Sequence, residues 1–230
     1  MKRTLYLFRH GESTYNEQER FTGWIDAKLT ERGMHSAKTV SAKLRSRRID
    51  LAYQSPLSRS KDTLAFVLEH HPECTQIIED QRIIERDYGD LAGKSKSVAH
   101  FARTYALEQY RTLLRTRLIP RLRGSDREAY LEALARAHLR VIRRSYDIAP
   151  PNGESIRHVE ARVYAFLADV LETMRSEKVN VAISAHGNSM RPIRRFFEKL
   201  SIDEMMGLEN PYDDYFAYTI DLTRPIRGLR

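Results

Sequence analysis

Two nearly identical tetrapeptides, His10-Gly11-Glu12-Ser13 and His186-Gly187-Asn188-Ser189, each follow a run of apolar residues. A strand ending in His-Gly delivers an imidazole to the carboxyl edge of a sheet, where open α/β sheets gather ligands, so two such ends can bring two histidines into one pocket. Glycine after each histidine lets the chain turn sharply and lets a ligand approach the main chain closely. A lone histidine there reads equally well as a strand-end residue with a local hydrogen bond, but the duplication and the adjacent Arg9 favour the pocket. Other groups belong with the pair. Arg59 stands just past a second apolar run, Glu85-Arg86-Asp87-Tyr88-Gly89 supplies a carboxylate and a phenol, and Arg143-Arg144 precede Ser145-Tyr146-Asp147. Guanidinium forks match phosphate with two parallel hydrogen bonds. Two arginines, two histidines and a carboxylate are the parts that phosphoryl transfer through a phosphohistidine requires.

That scheme needs no metal. Neither tetrapeptide has the spacing of a metal-ligating pair, and His70-His71, being adjacent, point to different faces. Arginines can supply the positive charge instead. No Gly-rich loop of the Walker type is present, which argues against a nucleoside triphosphate substrate. A net charge of +8 calls for an anionic partner. Its excess lies largely in arginines between Arg111 and Arg144, the pattern of a solvated helix face. With no helix-turn-helix, zinc-finger or aromatic RNA-binding pattern beside it, neither nucleic acid nor a membrane is the expected partner. The one cysteine, Cys74, cannot form an internal disulfide, and no stretch approaches the roughly 18 apolar residues of a membrane span. The expectation is a soluble cytoplasmic protein.

The elements that must carry these groups alternate. Thr4 to Phe8 and Val179 to Ser184 read as strands covered on both faces. Thr30 can cap a helix with Ala37, Val40 and Leu44 on one side; Ile49 to Gln54 is a further strand; Leu64, Val67 and Leu68 face inward from the next helix. Val159, Val163, Phe166, Leu167, Val170, Leu171 and Met174 form a helical stripe. A last helix carries Met190, Ile193, Phe197 and Leu200, and Tyr215 to Leu222 alternate as a strand. This order predicts an α/β three-layer sandwich, a mostly parallel central sheet with helices on both faces, as one domain over residues 1–230. Residues 97–142 interrupt it as a helical insertion. Two helices are expected there, parted by Pro120 and Gly124, the second opening on a Ser125/Glu128 capping box, with Leu131, Leu134, Ala135 and His138 on one face. Trp24 reads as a buried core aromatic.

Leu7-Phe8-Arg9-His10-Gly11-Glu12-Ser13-Thr14-Tyr15-Asn16, Arg20-Phe21-Thr22-Gly23-Trp24, Leu29-Thr30-Glu31-Arg32-Gly33, Glu85-Arg86-Asp87-Tyr88-Gly89 and Ala185-His186-Gly187-Asn188-Ser189 resemble the cofactor-dependent phosphoglycerate mutases of the histidine phosphatase superfamily. The Arg-His-Gly motif indicates the superfamily alone; the Phe-Thr-Gly-Trp, Glu-Arg-x-Tyr-Gly and Arg143-to-Pro151 segments are closer to the mutase branch. The resemblance implies that His10 becomes phosphorylated and that His186, Arg9 and Arg59 bind the transferring phosphoryl group, with Asn16 and the Gly187 main chain completing the cradle beside Asn188. It makes Glu85 the general acid and base. It also implies that Thr22, Gly23, Tyr88, Lys96, Arg143 and Arg144 hold the rest of a small phosphorylated carboxylic acid, that 2,3-bisphosphoglycerate is the phosphoryl primer, and that a homo-oligomer is an expected assembly.

Two stretches depart from that pattern. The segment between Lys96 and Arg143 is long, while Pro150-Pro151 lead almost at once into Asn152-Gly153-Glu154-Ser155; and a Pro-Thr-Gly turn near the C-terminus is replaced by Asn210-Pro211-Tyr212-Asp213-Asp214. The cover of the pocket is therefore rebuilt. The first expectation is a mutase interconverting 3- and 2-phosphoglycerate, in glycolysis and gluconeogenesis. The alternative is a phosphatase of small phosphoesters, since Asn-Gly-Glu-Ser is similar to a segment of phosphatase branches. A non-catalytic phospholigand-binding protein is the remaining reading.

Overall fold

Parallel strands β1 (Lys2–Arg9), β2 (Leu51–Gln54), β3 (Gln76–Glu79) and β4 (Val181–Ala185) and antiparallel β5 (Tyr215–Asp221) form one sheet in the order β3-β2-β4-β1-β5. These come from a computed structural model of the chain, which describes residues 2–223. Alternate residues of β1 and β4 feed two separate cores, as the period of two requires. Leu5, Leu7, Val181 and Ile183 face α7 (Ile156–Glu177) and α8 (Gly187–Glu198), whereas Tyr6, Phe8 and Ala182 face α2 (Glu31–Leu44) and α3 (Ser58–Leu68). This is the expected three-layer sandwich. The α7 stripe is buried from Val159 to Met174, and Thr30, which follows the one-turn helix α1 (Thr14–Glu17), caps α2 by accepting the Gly33 N–H at 3.0 Å. Among the described residues no helix is long and apolar enough to cross a membrane.

Several boundaries differ from the expectations. Ile49 is buried but precedes β2, and Leu200 lies beyond α8, which ends at Glu198 before a left-handed Lys199. A further short helix, α9 (Ile202–Gly207), follows. The insertion begins with α4 (Val98–Phe101), continues through a wide turn over Ala102–Ala106 into α5 (Leu107–Arg115), and returns in α6 (Gly124–Arg144). The Ser125/Glu128 capping box does not form. The chain turns at Gly124 (φ +51°), so Ser125 is already inside the helix, and a capping side chain needs the extended backbone found instead at Arg123. Ala135 is buried, Leu131 and Leu134 pack partly, and His138 is half-buried, as the stripe implied. The insertion closes its own small core, Phe101, Ala106, Ala135 and Leu139, onto Phe21 and Leu91. It is thereby anchored to the loop that carries Thr22 and Gly23.

Candidate active site

The strand register decides where the histidines go. Arg9 of β1 pairs with Ala185 of β4, and the His10 N–H donates to Ala185 O at 3.0 Å, so His10 and His186 leave adjacent parallel strands side by side. Their ring centroids are 4.8 Å apart. The loop after β1 is fixed by a glycine-on-glycine contact. A β-carbon on Gly11 would stand 2.2 Å from Gly33 O, and one on Gly33 would stand 2.0 Å from Glu12 O. The Gly11 N–H also donates to Thr63 Oγ1 at 3.0 Å.

Hydrogen bonds assign the His10 tautomer. Nδ1 lies 2.6 Å from Gly11 O, which can only accept, and Arg59 Nε donates to Nε2 at 3.3 Å. The proton is therefore on Nδ1 and the lone pair on Nε2. Burial, then the Arg59 and Arg9 charges, hold the His10 pKa well below its ordinary value. His186 is lowered in the same way, by burial first and then by Arg59, His10 and Arg9. Its Nε2 bonds Ser55 Oγ at 2.7 Å, while its buried Nδ1 has no partner among the described residues. Arg59, in the first turn of α3, is fully buried; it donates through Nη1 to Ile25 O and through Nη2 to Gly23 O, and burial lowers its pKa to about 10.

Glu85 is buried between the two strand ends and the insertion. Its Oε1 accepts from Arg86 N at 2.6 Å, Asn188 Nδ2 at 2.9 Å and Asn188 N at 3.3 Å, while its carbonyl accepts from Trp24 Nε1 at 2.7 Å and Arg162 Nη2 at 3.0 Å. Asn188 also donates to the Tyr88 hydroxyl at 3.2 Å. A cavity of about 450 Å³ opens beside these groups. Arg9, Asn16, Thr22, Gly23, Glu85, Tyr88, Lys96, Arg143, Arg144, Gly187 and Asn188 all line it. His10, His186 and Arg59 are buried behind that lining, in contact with it through Gly23 and Tyr212. All the residues named from the sequence thus gather in one place.

The sequence pattern of the histidine phosphatase superfamily (branch 1) matches residues 5–138 and 109–221. The chain belongs to the histidine phosphatase superfamily. A protein of Rhizobium johnstonii named 2,3-bisphosphoglycerate-dependent phosphoglycerate mutase is 37% identical, over 90% of this chain and 85% of its own. One of Pseudoalteromonas atlantica with the same name is 32% identical, over 89% of this chain and 88% of its own. Among solved structures, a mycobacterial glucosyl-3-phosphoglycerate phosphatase superposes with a TM-score of 0.69 at 22% identity, covering 95% of this chain and 91% of that one. A mycobacterial hydrolase gives 0.71 at 22% identity, over 95% and 92% of the two chains. At that identity the likeness concerns the fold.

In this member of the histidine phosphatase superfamily the site is strongly cationic and incompletely paired. Buried Arg9 Nε, Thr22 Oγ1 and His186 Nδ1 have no hydrogen-bond partner among the described residues. Burial, with Arg143 nearby, lowers the Lys96 pKa to about 8. Polar atoms left unpaired beside clustered cations are a site prepared for an anion. The α8 N-terminus, at Gly187 and Asn188, adds a helix dipole of the same sign. Among the described residues no group of three or more His, Cys, Asp or Glu side chains converges as a metal site.

Sequence reasoning missed part of the wall. Glu19, Arg191, Glu209, Asn210 and Tyr212 also line the cavity. Arg144 is held by Met206 O and Glu209, and Arg191 by Met205 O and Met206 O, so α9 braces the cationic side. Trp24 is not a core residue. It is 49% exposed, because its indole N–H is spent on the Glu85 carbonyl and its ring covers that loop from outside. Arg86, fully buried, donates to Glu154 O, Ile142 O and Ile148 O, tying the Glu85 loop to the last turn of α6 and the segment after it.

The neutral histidine pair has a consequence for stability. Unfolded, both imidazoles titrate near the ordinary value of 6.5, whereas the fold keeps them unprotonated to well below it. As pH falls through that value the unfolded chain binds more protons, so folding stability contributed by the neutral pair is lost toward acid. The urea midpoint is expected to drop between about pH 7.5 and about pH 5.5, and to drop less in a His10→Asn, His186→Asn double variant. Equal pH slopes for the two proteins would refute this.

Proposed function

We propose that the protein is a 2,3-bisphosphoglycerate-dependent phosphoglycerate mutase that works through phosphorylated His10. The observation that carries this reading is one cavity lined at once by the phosphoryl-side residues Arg9, Glu85, Gly187 and Asn188 and by Thr22, Gly23, Lys96, Arg143 and Arg144, a second polar and cationic end suited to a carboxylate. The names of relatives 32–37% identical over most of their length support it.

In this mechanism His10 Nε2 attacks phosphorus as the bond from phosphorus to the ester oxygen breaks, giving phosphohistidine and a leaving hydroxylate. Glu85 in its acid form gives that oxygen a proton, and as a carboxylate it later takes the proton from the accepting hydroxyl. Arg9 and Arg59 bind the equatorial oxygens, and Nδ1 of His186, as the protonated nitrogen, donates to the charge that grows in the transition state. Because the Nδ1 proton of His10 stays bonded to Gly11 O, the imidazole keeps its orientation through both half-reactions. 2,3-Bisphosphoglycerate, when bound, supplies the phosphoryl group that primes His10. Arg9 Nε, Thr22 Oγ1 and His186 Nδ1, unpaired among the described residues, fit such an anion, with Lys96, Arg143 and Arg144 holding its other end.

Purified protein should convert 3-phosphoglycerate to 2-phosphoglycerate with a strict requirement for primer. The short Asn152-to-Ser155 turn favours the second reading, a phosphatase, in which water takes the phosphoryl group. Primer-independent release of inorganic phosphate from several phosphoesters, without isomerisation, would replace the mutase by that reading.

A further inference from the structure

We propose that Tyr212 is a positioning residue that holds Arg9 in its phosphoryl-binding pose and screens phospho-His10 from water, so that it governs how much of the phosphoenzyme is lost to hydrolysis. This rests on the reading of His10 as the phosphoryl carrier. The Tyr212 ring lies 4.0 Å from Arg9 Cζ, and its centroid is 6.3 Å from that of His10 at an interplanar angle of 53°. The same residue lines the cavity while His10 does not. The phenol ring therefore forms part of the cavity wall beside both Arg9 and the imidazole.

The turn that carries Tyr212 is built to hold it there. Asn210 is buried; its carbonyl accepts from Arg9 Nη1 at 3.1 Å, its Nδ2 donates to Gly187 O at 2.8 Å, and its Oδ1 accepts from Arg194 Nη1 at 3.0 Å. Asp214, two residues beyond Tyr212, pairs with Lys43 at 3.1 Å. Arg9 is thus gripped by one turn in two ways, through Nη1 by Asn210 and through its π-facing surface by Tyr212, and Nε is left without a hydrogen-bond partner among the described residues. That arrangement suits a phosphoryl oxygen better than an ion pair would. A carboxylate in place of the ring would neutralise the guanidinium and repel the incoming anion. An aromatic face compensates a desolvated cation without adding net negative charge.

Hydrolysis of the phosphoenzyme consumes one water: its oxygen attacks phosphorus, the bond from phosphorus to Nε2 breaks, and neutral His10 and inorganic phosphate remain. A ring beside the imidazole that narrows the approach of free water, while leaving open the side from which bound substrate reaches Nε2, would slow this step more than transfer to a bound hydroxyl, and Tyr212 would then set the partition between the two.

The test labels the full-length protein with ³²P from the bisphosphate, removes free label, and follows phosphoenzyme half-life and the ratio of released phosphate to transferred label. Tyr212→Ala is expected to shorten the half-life about tenfold or more and to raise the hydrolysis ratio in step. Tyr212→Phe, which keeps the ring, should restore the half-life. Tyr212→Leu keeps apolar bulk without the π face, and should retain the long half-life while slowing the labelling of His10, which separates screening from the hold on Arg9. It also keeps the proposal testable if the alanine variant folds poorly. An unchanged half-life in both Tyr212→Ala and Tyr212→Leu together with an unchanged labelling rate would overturn the proposal, as would a phenylalanine variant that behaves like alanine. Failure of the unsubstituted protein to take up label would instead remove the phosphohistidine reading on which it rests.

Discussion

A His10→Ala variant is expected to lose phosphoryl transfer by about 10⁴-fold or more in kcat, because no second group can form the covalent intermediate. The geometry makes the substitution a clean test. Among the described residues Nδ1 of His10 bonds only the neighbouring Gly11 carbonyl, and Arg59, on losing Nε2 as an acceptor, keeps Ile25 O and Gly23 O. The loop after β1 remains pinned by Thr63 and by the Gly11 and Gly33 contact. The fold should survive, with acid-labile ³²P incorporation gone. His186→Ala should behave differently. It removes a hydrogen-bond donor to the transition state but leaves the nucleophile, so a loss nearer 10²- to 10³-fold is expected, with label still incorporated slowly. Equal losses and equal absence of label would make His186 indispensable to the phosphorylation of His10, not a transition-state donor alone; retention of a few per cent of activity in His10→Ala would end the covalent mechanism.

What the sequence made legible follows from how local each signal is. The two strand ends, the Thr30 cap and the α7 stripe depend on neighbours within a few residues, and each forms as expected. Strand β3 gave no signal because it is a sheet edge with three of its four residues exposed, leaving no inward face to write an alternation. The charged residues were harder. Arg86, Glu154 and Arg162 look like solvated side chains in a linear reading, yet Arg162 bonds both Glu154 oxygens and three carbonyls of residues 82–85, and Arg86 spans to residues 142, 148 and 154. Their burial is set by partners 50 or more residues away for most of these bonds, which no local pattern encodes. Tyr212 was hidden for the same reason. The replaced turn at 210–214 was visible, but its ring meets Arg9 only because β5 returns antiparallel beside β1.

Glu85→Gln is the sharper test of chemistry, since it changes a proton and almost nothing else. A glutamine carbonyl oxygen can accept from Arg86 N and Asn188 Nδ2 as Oε1 does, and the main-chain bonds from Trp24 and Arg162 do not involve the side chain. The loop should therefore keep its place, and a purely structural role for Glu85 would leave the rate nearly intact. A role as general acid and base predicts a fall of about 10²- to 10⁴-fold in kcat with phosphoglycerate, whose alkoxide leaves poorly without a proton. The loss should shrink with an activated ester such as p-nitrophenyl phosphate, because that leaving group needs no proton and His10, Arg9 and Arg59 still deliver the nucleophile and the phosphoryl clamp. Burst labelling of His10 by the activated ester would then survive the substitution while labelling by phosphoglycerate would not. An equal loss with both donors would move Glu85 from proton transfer to the ordering of Asn188 and the α8 N-terminus, to which its Oε1 is also bonded.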